Sequence, residues 1–537
     1  MSSRPYGPSE PLLIGYDPAL DIPSDHLARF VDMVVETSVC AGSCQPERGR
    51  PSFDLRLCIK VLTFGYAMGV RSSRQLERLC NEHLAYLYLT RGDTPSYHTL
   101  CTVRTSHKEL LETVWVSLFE VGRQHGMVRL GRIVIDSSKF RADAGSESVL
   151  EKDEYTSMLA ELERILAEAD RADKREDAEG GGSGTRLGRS VSGDQMRDII
   201  RHVRAALARK KKGETASASS AVDPVETASV PDTPAPCGSD DSAPVSLTPR
   251  MRERIEQGAA AIEEAIADER KHLCLTDPDA RMMPEGIQKK IRECHSFEVA
   301  VDAGLIVAGQ TTQVGSDQLR LTSIVEAAAK CEPGGILAVD ADSGYFSGDA
   351  VASLISSGID TCIPNGHTAC DLHRGDLIGA TRGRAFGTVP FTFDADRNQY
   401  TCSEGNNLRF QKARKKGGQM VSIYIAEREC TECPLAAKCL TQANAKRRQL
   451  HVGQNNEVLE KARQRFEQTE HQERYYQRGP AVETVFGFLR ATLGYTRWLL
   501  RGEEKVACEG SLFKIAYQVR KIGKVWQKNQ ASLPITA

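Results

Sequence analysis

Arg132-Ile133-Val134-Ile135-Asp136-Ser137-Ser138-Lys139 is a short apolar run that ends on a carboxylate. Three consecutive β-branched residues without helical period predict a buried strand, with Asp136 at its C-terminal end. A second stretch repeats the pattern two hundred residues later: Ile336-Leu337-Ala338-Val339-Asp340-Ala341-Asp342-Ser343-Gly344-Tyr345 predicts a strand over 335–340 followed by acidic residues. Around these two runs, 297–302 and 305–312 read as a hairpin turning at Ala303-Gly304. Helices follow near 319–329 and 348–357, with another strand at 360–363. Strands alternating with helices make a mixed α/β sheet.

Outside that core the pattern changes. Residues 24–130 read as several short helices, with Ser24-Asp25 as the first cap, Ser72-Ser73-Arg74-Gln75 as a capping box, and Tyr97, His98 and Arg104 on the surface of a helix from 96 to about 107. This suits a helix-turn-helix-like DNA-binding module or any small helical bundle. Residues 151–172, 194–209 and 249–268 return to helical period. Between the last two, 22 of the 35 residues in 214–248 are Ser, Thr, Ala or Pro and none is aromatic, so burial cannot offset their ordering entropy and a disordered linker is expected. Residues 454–525 are mostly helical.

In open α/β sheets chemistry gathers past the C-terminal ends of strands, where Asp136 and Asp342 fall. Glu483, in Val482-Glu-Thr-Val-Phe-Gly-Phe-Leu-Arg490, sits on a helix whose apolar spacing suits packing on a sheet. Three such carboxylates brought together would hold two Mg²⁺ ions for in-line phosphoryl transfer. Taken singly, Asp136 and Asp342 equally suit turn or cap residues, and Glu483 a solvated helix carboxylate. Asp340 ends its strand, but only Asp342 precedes Ser-Gly-Tyr. Asp317 reads as the cap of the next helix, with support of a neighbouring metal ligand as the alternative.

Cys402, Cys430, Cys433 and Cys439 include a Cys-x2-Cys pair and offer four thiolates, either a closed structural zinc site or free cysteines in a small basic subdomain. Lys412, Arg414, Lys415, Lys416, Arg447 and Arg448 lie in the densest basic runs. Residues 401–502 hold 18 Lys/Arg against 10 Asp/Glu, a local +8 in a chain of net charge −2. Uniform basicity is excluded, so a nucleic-acid surface must be local; the alternative is a solvated face. Sixteen Cys in 537 residues is far below a disulfide scaffold. With no apolar leader and no run of 18 apolar residues, a soluble cytoplasmic protein without membrane contact is expected.

The chain resembles the DDE transposases of bacterial insertion sequences, in the group with a helical N-terminal domain and a ribonuclease H-like core. Gly49-Arg-Pro, Gly65-Tyr-Ala-Met-Gly-Val-Arg-Ser-Ser-Arg74 and Pro95-Ser-Tyr-His-Thr-Leu with Arg104 are similar to its N-terminal elements. Ile135-Asp-Ser-Ser-Lys139, Thr276-Asp-Pro-Asp-Ala-Arg-Met-Met283 and Asp342-Ser-Gly-Tyr345 are similar to its core elements. Tyr475-x2-Arg478-x4-Glu483-x6-Arg490 resembles its last signature, one residue longer between Arg and Glu than the strictest form and with Arg where Lys is common.

The resemblance implies Asp136, Asp342 and Glu483 as catalytic ligands of Mg²⁺ or Mn²⁺. It implies Arg478 and Arg490 as DNA contacts, with Arg490 on nearly the same helix face as Glu483, and it supports zinc at the four Cys. The expected fold is a ribonuclease H-like mixed-sheet core (131–150 and 271–398, completed by 454–527). To it are added an N-terminal DNA-binding domain (1–130), a helical insertion (151–270) and a Cys-rich basic subdomain (399–453). The expected activity is cleavage at terminal inverted repeats and strand transfer into target DNA, by a homo-oligomer on DNA in the bacterial cytoplasm and nucleoid. The alternatives are a non-catalytic DNA-binding derivative and a stand-alone nuclease.

Overall fold

The computed structural model describes residues 17–39, 53–128, 131–145, 148–178, 249–286, 288–315, 317–331, 334–375, 391–416, 419–440, 444–453 and 455–531. The expected helix over 194–209 and the linker over 214–248 lie outside these. The chain divides into two units: residues 1–138, 297–495 and 507–537 form one, and 139–296 with 496–506 form the other. The N-terminal helices share a unit with the sheet. No helix among the described residues is long and apolar enough to cross a membrane.

The sheet of the first unit grows from the apolar runs. The strand Arg132–Arg141 pairs in parallel with Ala338–Ala341, which pairs in parallel with Asp360–Cys362; on its other side lies Lys290–Asp302, which pairs with Leu305–Thr312. This strand order, with helices between the parallel strands, is the ribonuclease H-like arrangement. Ile133, Ile135, Val339 and Ala341 are fully buried against Leu321 and Ile324 of the helix Leu321–Ala329. Each such aliphatic side chain contributes about 2 kcal/mol by leaving water. The first strand runs five residues past its expected end, so Asp136 stands inside it rather than terminating it.

The N-terminal helices form as their periodicity predicts, with Phe30, Val31, Val34 and Val35 buried on Leu27–Ser38. Its cap is His26, whose Nδ1 accepts from the Ala28 amide at 3.1 Å, and not Ser24-Asp25. Ser72 caps Ser73–Glu82 as expected. Arg71 reaches the buried Glu509 of the long helix Glu503–Ala531 at 3.2 Å and lies over the Tyr495 ring. Gly69 has φ +81°, and a Cβ there would stand 3.3 Å from the Leu493 carbonyl oxygen, so only glycine allows this close backbone approach. Arg104, expected on the surface, is buried and donates to the Arg71 carbonyl at 2.8 Å. The helix face alone could not reveal that its partner lies on another helix.

In the second unit, helices Lys152–Ala178 and Pro249–Ala267 pack through Tyr155, Met158, Leu162, Ile255 and Ile262. Asp277 is buried, pairs with His295 at 2.9 Å and accepts from the Gly502 amide at 3.1 Å. The Thr276-Asp-Pro-Asp stretch is therefore architectural.

Candidate active site

Ile135↔Ala341 is the last pair in the parallel ladder of the two central strands, so Asp136 and Asp342 occupy the next position on each. Adjacent strands lie about 4.8 Å apart, which sets two carboxylates side by side. Asp342 leaves its strand extended, and its Oδ1 accepts from the Gly344 amide at 2.8 Å, closing the turn Ser343–Tyr345. A Cβ at Gly344 would come within 2.9 Å of that oxygen, which accounts for the glycine in Asp-x-Gly-Tyr. Asp136 accepts from the Ser137 amide at 2.7 Å and faces Arg478 at 3.4 Å. Burial first, and then the Asp342 charge, push the Asp136 carboxyl up to about 6, against the pull of Arg478.

Arg478 belongs to the helix Thr469–Gly487, whose placement depends on a residue absent from the sequence reading. Asp340, fully buried, accepts from Arg474 Nε at 2.8 Å and from Arg132 Nε at 2.8 Å. Arg474 also pairs with Asp360, which holds Arg465 at 2.6 Å. Four residues along a helix rise about 6 Å, and two residues along a strand about 6.6 Å. Arg474 at Asp340 therefore brings Arg478 level with the position shared by Asp136 and Asp342. An i, i+4 pair of arginines before the Glu is the signal that could have been read.

Glu483 stands five residues past Arg478, about 7.5 Å farther along the helix axis, with Val482, Val485 and Phe486 buried beside it and its own side chain exposed. The structure brings Asp136, Asp342 and Arg478 together. Among the described residues no group of three or more His, Cys, Asp or Glu side chains is arranged to hold a metal ion. Arg490 falls in a π-helical turn, Phe488–Thr492. That wider turn rotates it away from the Glu483 face expected from uniform α-helical spacing.

The basic block is a five-stranded antiparallel sheet over Phe391–Asp394, Gln399–Cys402, Asn407–Lys416, Gln419–Ala426 and Gln449–Gly453. A bulge between Phe410 and Lys412 shifts the register, so Arg409↔Ile425, Lys412↔Ile423 and Arg414↔Val421 oppose one another. Opposed residues share a face. Arg409, Lys412 and Arg414 thus line one face, although strict alternation would put the first two on opposite sides. Lys415, opposite Met420, lies on the other face. Lys412, Arg414, Lys415 and Arg447 are exposed, whereas Arg409 pairs with Glu427. Lys416 occupies the register position opposite Gln419. Arg448 departs from expectation: it is buried and donates to the Cys439 carbonyl at 2.8 Å, which removes it from the phosphate-contacting set.

Cys402, Cys430, Cys433 and Cys439 all line one cavity of ≈170 Å³. The Asn406 amide donates to Cys402 Sγ at 3.3 Å, and its side-chain nitrogen to Cys430 Sγ at 3.8 Å. Burial pushes the Cys439 thiol up, and Arg448 pulls it back. The four are gathered as their spacing suggests, around a cavity and not in the closed tetrahedron expected of a zinc site.

Residues 401–523 match the family model described as Transposase DDE domain, and residues 18–106 match that described as Transposase domain (DUF772). No curated protein matches the chain.

Proposed function

Since the chain belongs to the DDE transposases of insertion sequences, a family of DNA phosphoryl-transfer enzymes, we propose that it cleaves DNA at the ends of its element and joins them to target DNA at the Asp136–Asp342 corner. The observation that carries this reading is the pair of carboxylates held at adjacent positions of neighbouring parallel strands, with Asp136 pushed up to about 6. Repulsion of that kind is relieved by a cation, and carboxylate oxygens are the donors that Mg²⁺ and Mn²⁺ prefer. Asp136 and Asp342 would hold the ions with Glu483 as third ligand, the side chain of a helical residue leaning toward the turn before it. When bound, the metal supplies activation of the attacking oxygen and stabilisation of the leaving one.

The chain's own residues do the rest. Arg478, 3.4 Å from Asp136, offers its remaining guanidinium N–H groups to the scissile phosphate. Lys412, Arg414, Lys415, Lys416, Arg447 and Arg490 supply phosphate contacts that position the duplex without reading its sequence. Handling two terminal inverted repeats in one reaction calls for at least two copies of the chain on DNA. Cys402, Cys430, Cys433 and Cys439 line one cavity with N–H donors on two sulfurs, and a structural Zn²⁺ there would have to draw them into a tetrahedron they do not form without it. Purified protein should carry about one zinc per chain, lost in Cys430→Ser/Cys433→Ser.

The test is cleavage and strand transfer of a DNA fragment bearing the element's flanking repeats, with Mg²⁺. Asp136→Asn, Asp342→Asn and Glu483→Gln should each lose activity by orders of magnitude while DNA binding persists. Full activity in any of the three removes that residue from the site.

A further inference from the structure

Ser137 touches two carboxylates. Its amide donates to Asp136 Oδ1 at 2.7 Å, and its hydroxyl donates to Asp317 Oδ1 at 3.0 Å. Asp317 opens the turn Asp317–Leu319, 180 residues away in sequence. Its other oxygen stands 3.6 Å from where a Cβ on Gly344 would lie, a point itself 2.9 Å from Asp342 Oδ1. Asp317 and Asp342 therefore flank the same bare stretch of backbone, and Asp317 borders both members of the proposed pair. The helix Leu321–Ala329 is capped at Arg320 without a side-chain bond, so capping does not account for this placement of Asp317.

We propose that Asp317 is a positioning residue for the phosphoryl-transfer centre, acting through the Ser137 hydroxyl to fix the direction in which the Asp136 carboxylate points. The inference rests on the preceding reading of Asp136 as a metal ligand. Asp136 follows Ile135, the last residue laddered with that strand at Ala341, and its carboxylate is held there by the Ser137 amide. Ser137 supplies the bond, and Asp317 holds Ser137. Groups that orient ligands in this way typically change metal affinity by about 10- to 100-fold when removed.

The experiment measures Mn²⁺ binding to the full chain by electron paramagnetic resonance, without DNA, alongside the thermal midpoint of the metal-free protein. Ser137→Ala and Asp317→Ala should each weaken Mn²⁺ binding by about tenfold or more. The double variant should be no weaker than the worse single one, because both cut one linkage. Ser137→Thr, which restores a hydroxyl, should bind as the parent does. The metal-free midpoint of each variant reports loss of structure separately from loss of metal. Unchanged Mn²⁺ binding in both single variants, additive losses, or a fallen midpoint with intact binding would overturn the proposal and leave Asp317 a turn residue. Asp136→Asn separates the two levels of inference: if it binds Mn²⁺ like the parent, the centre itself is misassigned. If it alone loses binding, only the Asp317 linkage fails.

Discussion

Two aspartates two residues apart on one strand have opposite electrostatic fates. Asp340 is fully buried and receives two guanidinium groups, from Arg132 and Arg474. Asp342, where the strand ends, sits beside Asp136 and near Asp317, and the corner they make has one nearby guanidinium, Arg478 at 3.4 Å. Charge at Asp340 is neutralised by the chain and serves architecture. Among the described residues, Asp136 meets Arg478 and the like charges of Asp342 and Asp317, a balance that favours a cation. Residue type and strand position are nearly the same in both; the difference lies in what the helix Thr469–Gly487 presents at each level.

The largest stability effect should come from the neutralised site. Asp340→Asn leaves Arg474 and Arg132 without their buried counter-charge, and breaking such a pair typically costs about 3–5 kcal/mol. Chemical denaturation should show that loss. Because Arg474 fixes the height of Arg478 on the sheet, activity should fall as well, through a displaced helix. A silent Asp340→Asn would break the contrast between the two aspartates.

The second effect sharpens it from the other side. Asp136 is raised from an ordinary 3.8 to about 6, so in metal-free protein the folded state binds its proton more tightly than the unfolded state does. Its stabilising contribution is complete below about pH 4 and is lost as pH rises through about 6. The loss is roughly 3 kcal/mol at most, from 1.36 kcal/mol per unit. Asp136→Asn cannot ionise, so it should be more stable than the parent above pH 6 without metal and should lack this part of the pH dependence. Added Mg²⁺ should stabilise the parent in that range and leave the variant largely unaffected. A parent whose metal-free stability is flat from pH 4 to 7 would count against the raised carboxyl.

These effects also separate what sequence could and could not disclose. Apolar runs at 132–135 and 336–339 and the capping box at Ser72 act locally, and the elements they predict are present. The level shared by Asp136 and Asp342 follows from the two apolar runs that precede them, which pair in register, although Asp136 lies inside its strand and not at its end. The partners of Arg474 and Ser137 were not legible, since those bonds span 134 and 180 residues. Arg104 and Arg448 were misread for the same reason: a basic residue in a polar stretch gives no sign of a distant carbonyl that will bury it. The bulge before Lys412 is likewise a property of strand pairing, invisible in a basic run.

The smallest effect applies the same comparison to cations. Lys412 and Arg414 are exposed on one face of the basic sheet, and neither has a carboxylate partner among the described residues. Arg448, by contrast, is buried and bonded to the Cys439 carbonyl. The first two carry charge the fold leaves available, and Arg448 carries charge the fold uses. Lys412→Ala/Arg414→Ala should leave the thermal midpoint nearly unchanged. It should weaken duplex binding several-fold at low salt and reduce the slope of log K against log salt by about 1.8, at 0.9 per lost phosphate contact. Arg448→Ala should do the reverse, lowering the midpoint and loosening the four-Cys cavity while the salt slope stays put. Titrating one duplex against all three proteins at several salt concentrations checks both halves. Equal slopes throughout would mean that this sheet face does not meet DNA, and a reduced slope for Arg448→Ala alone would reverse the assignment of the two kinds of cation.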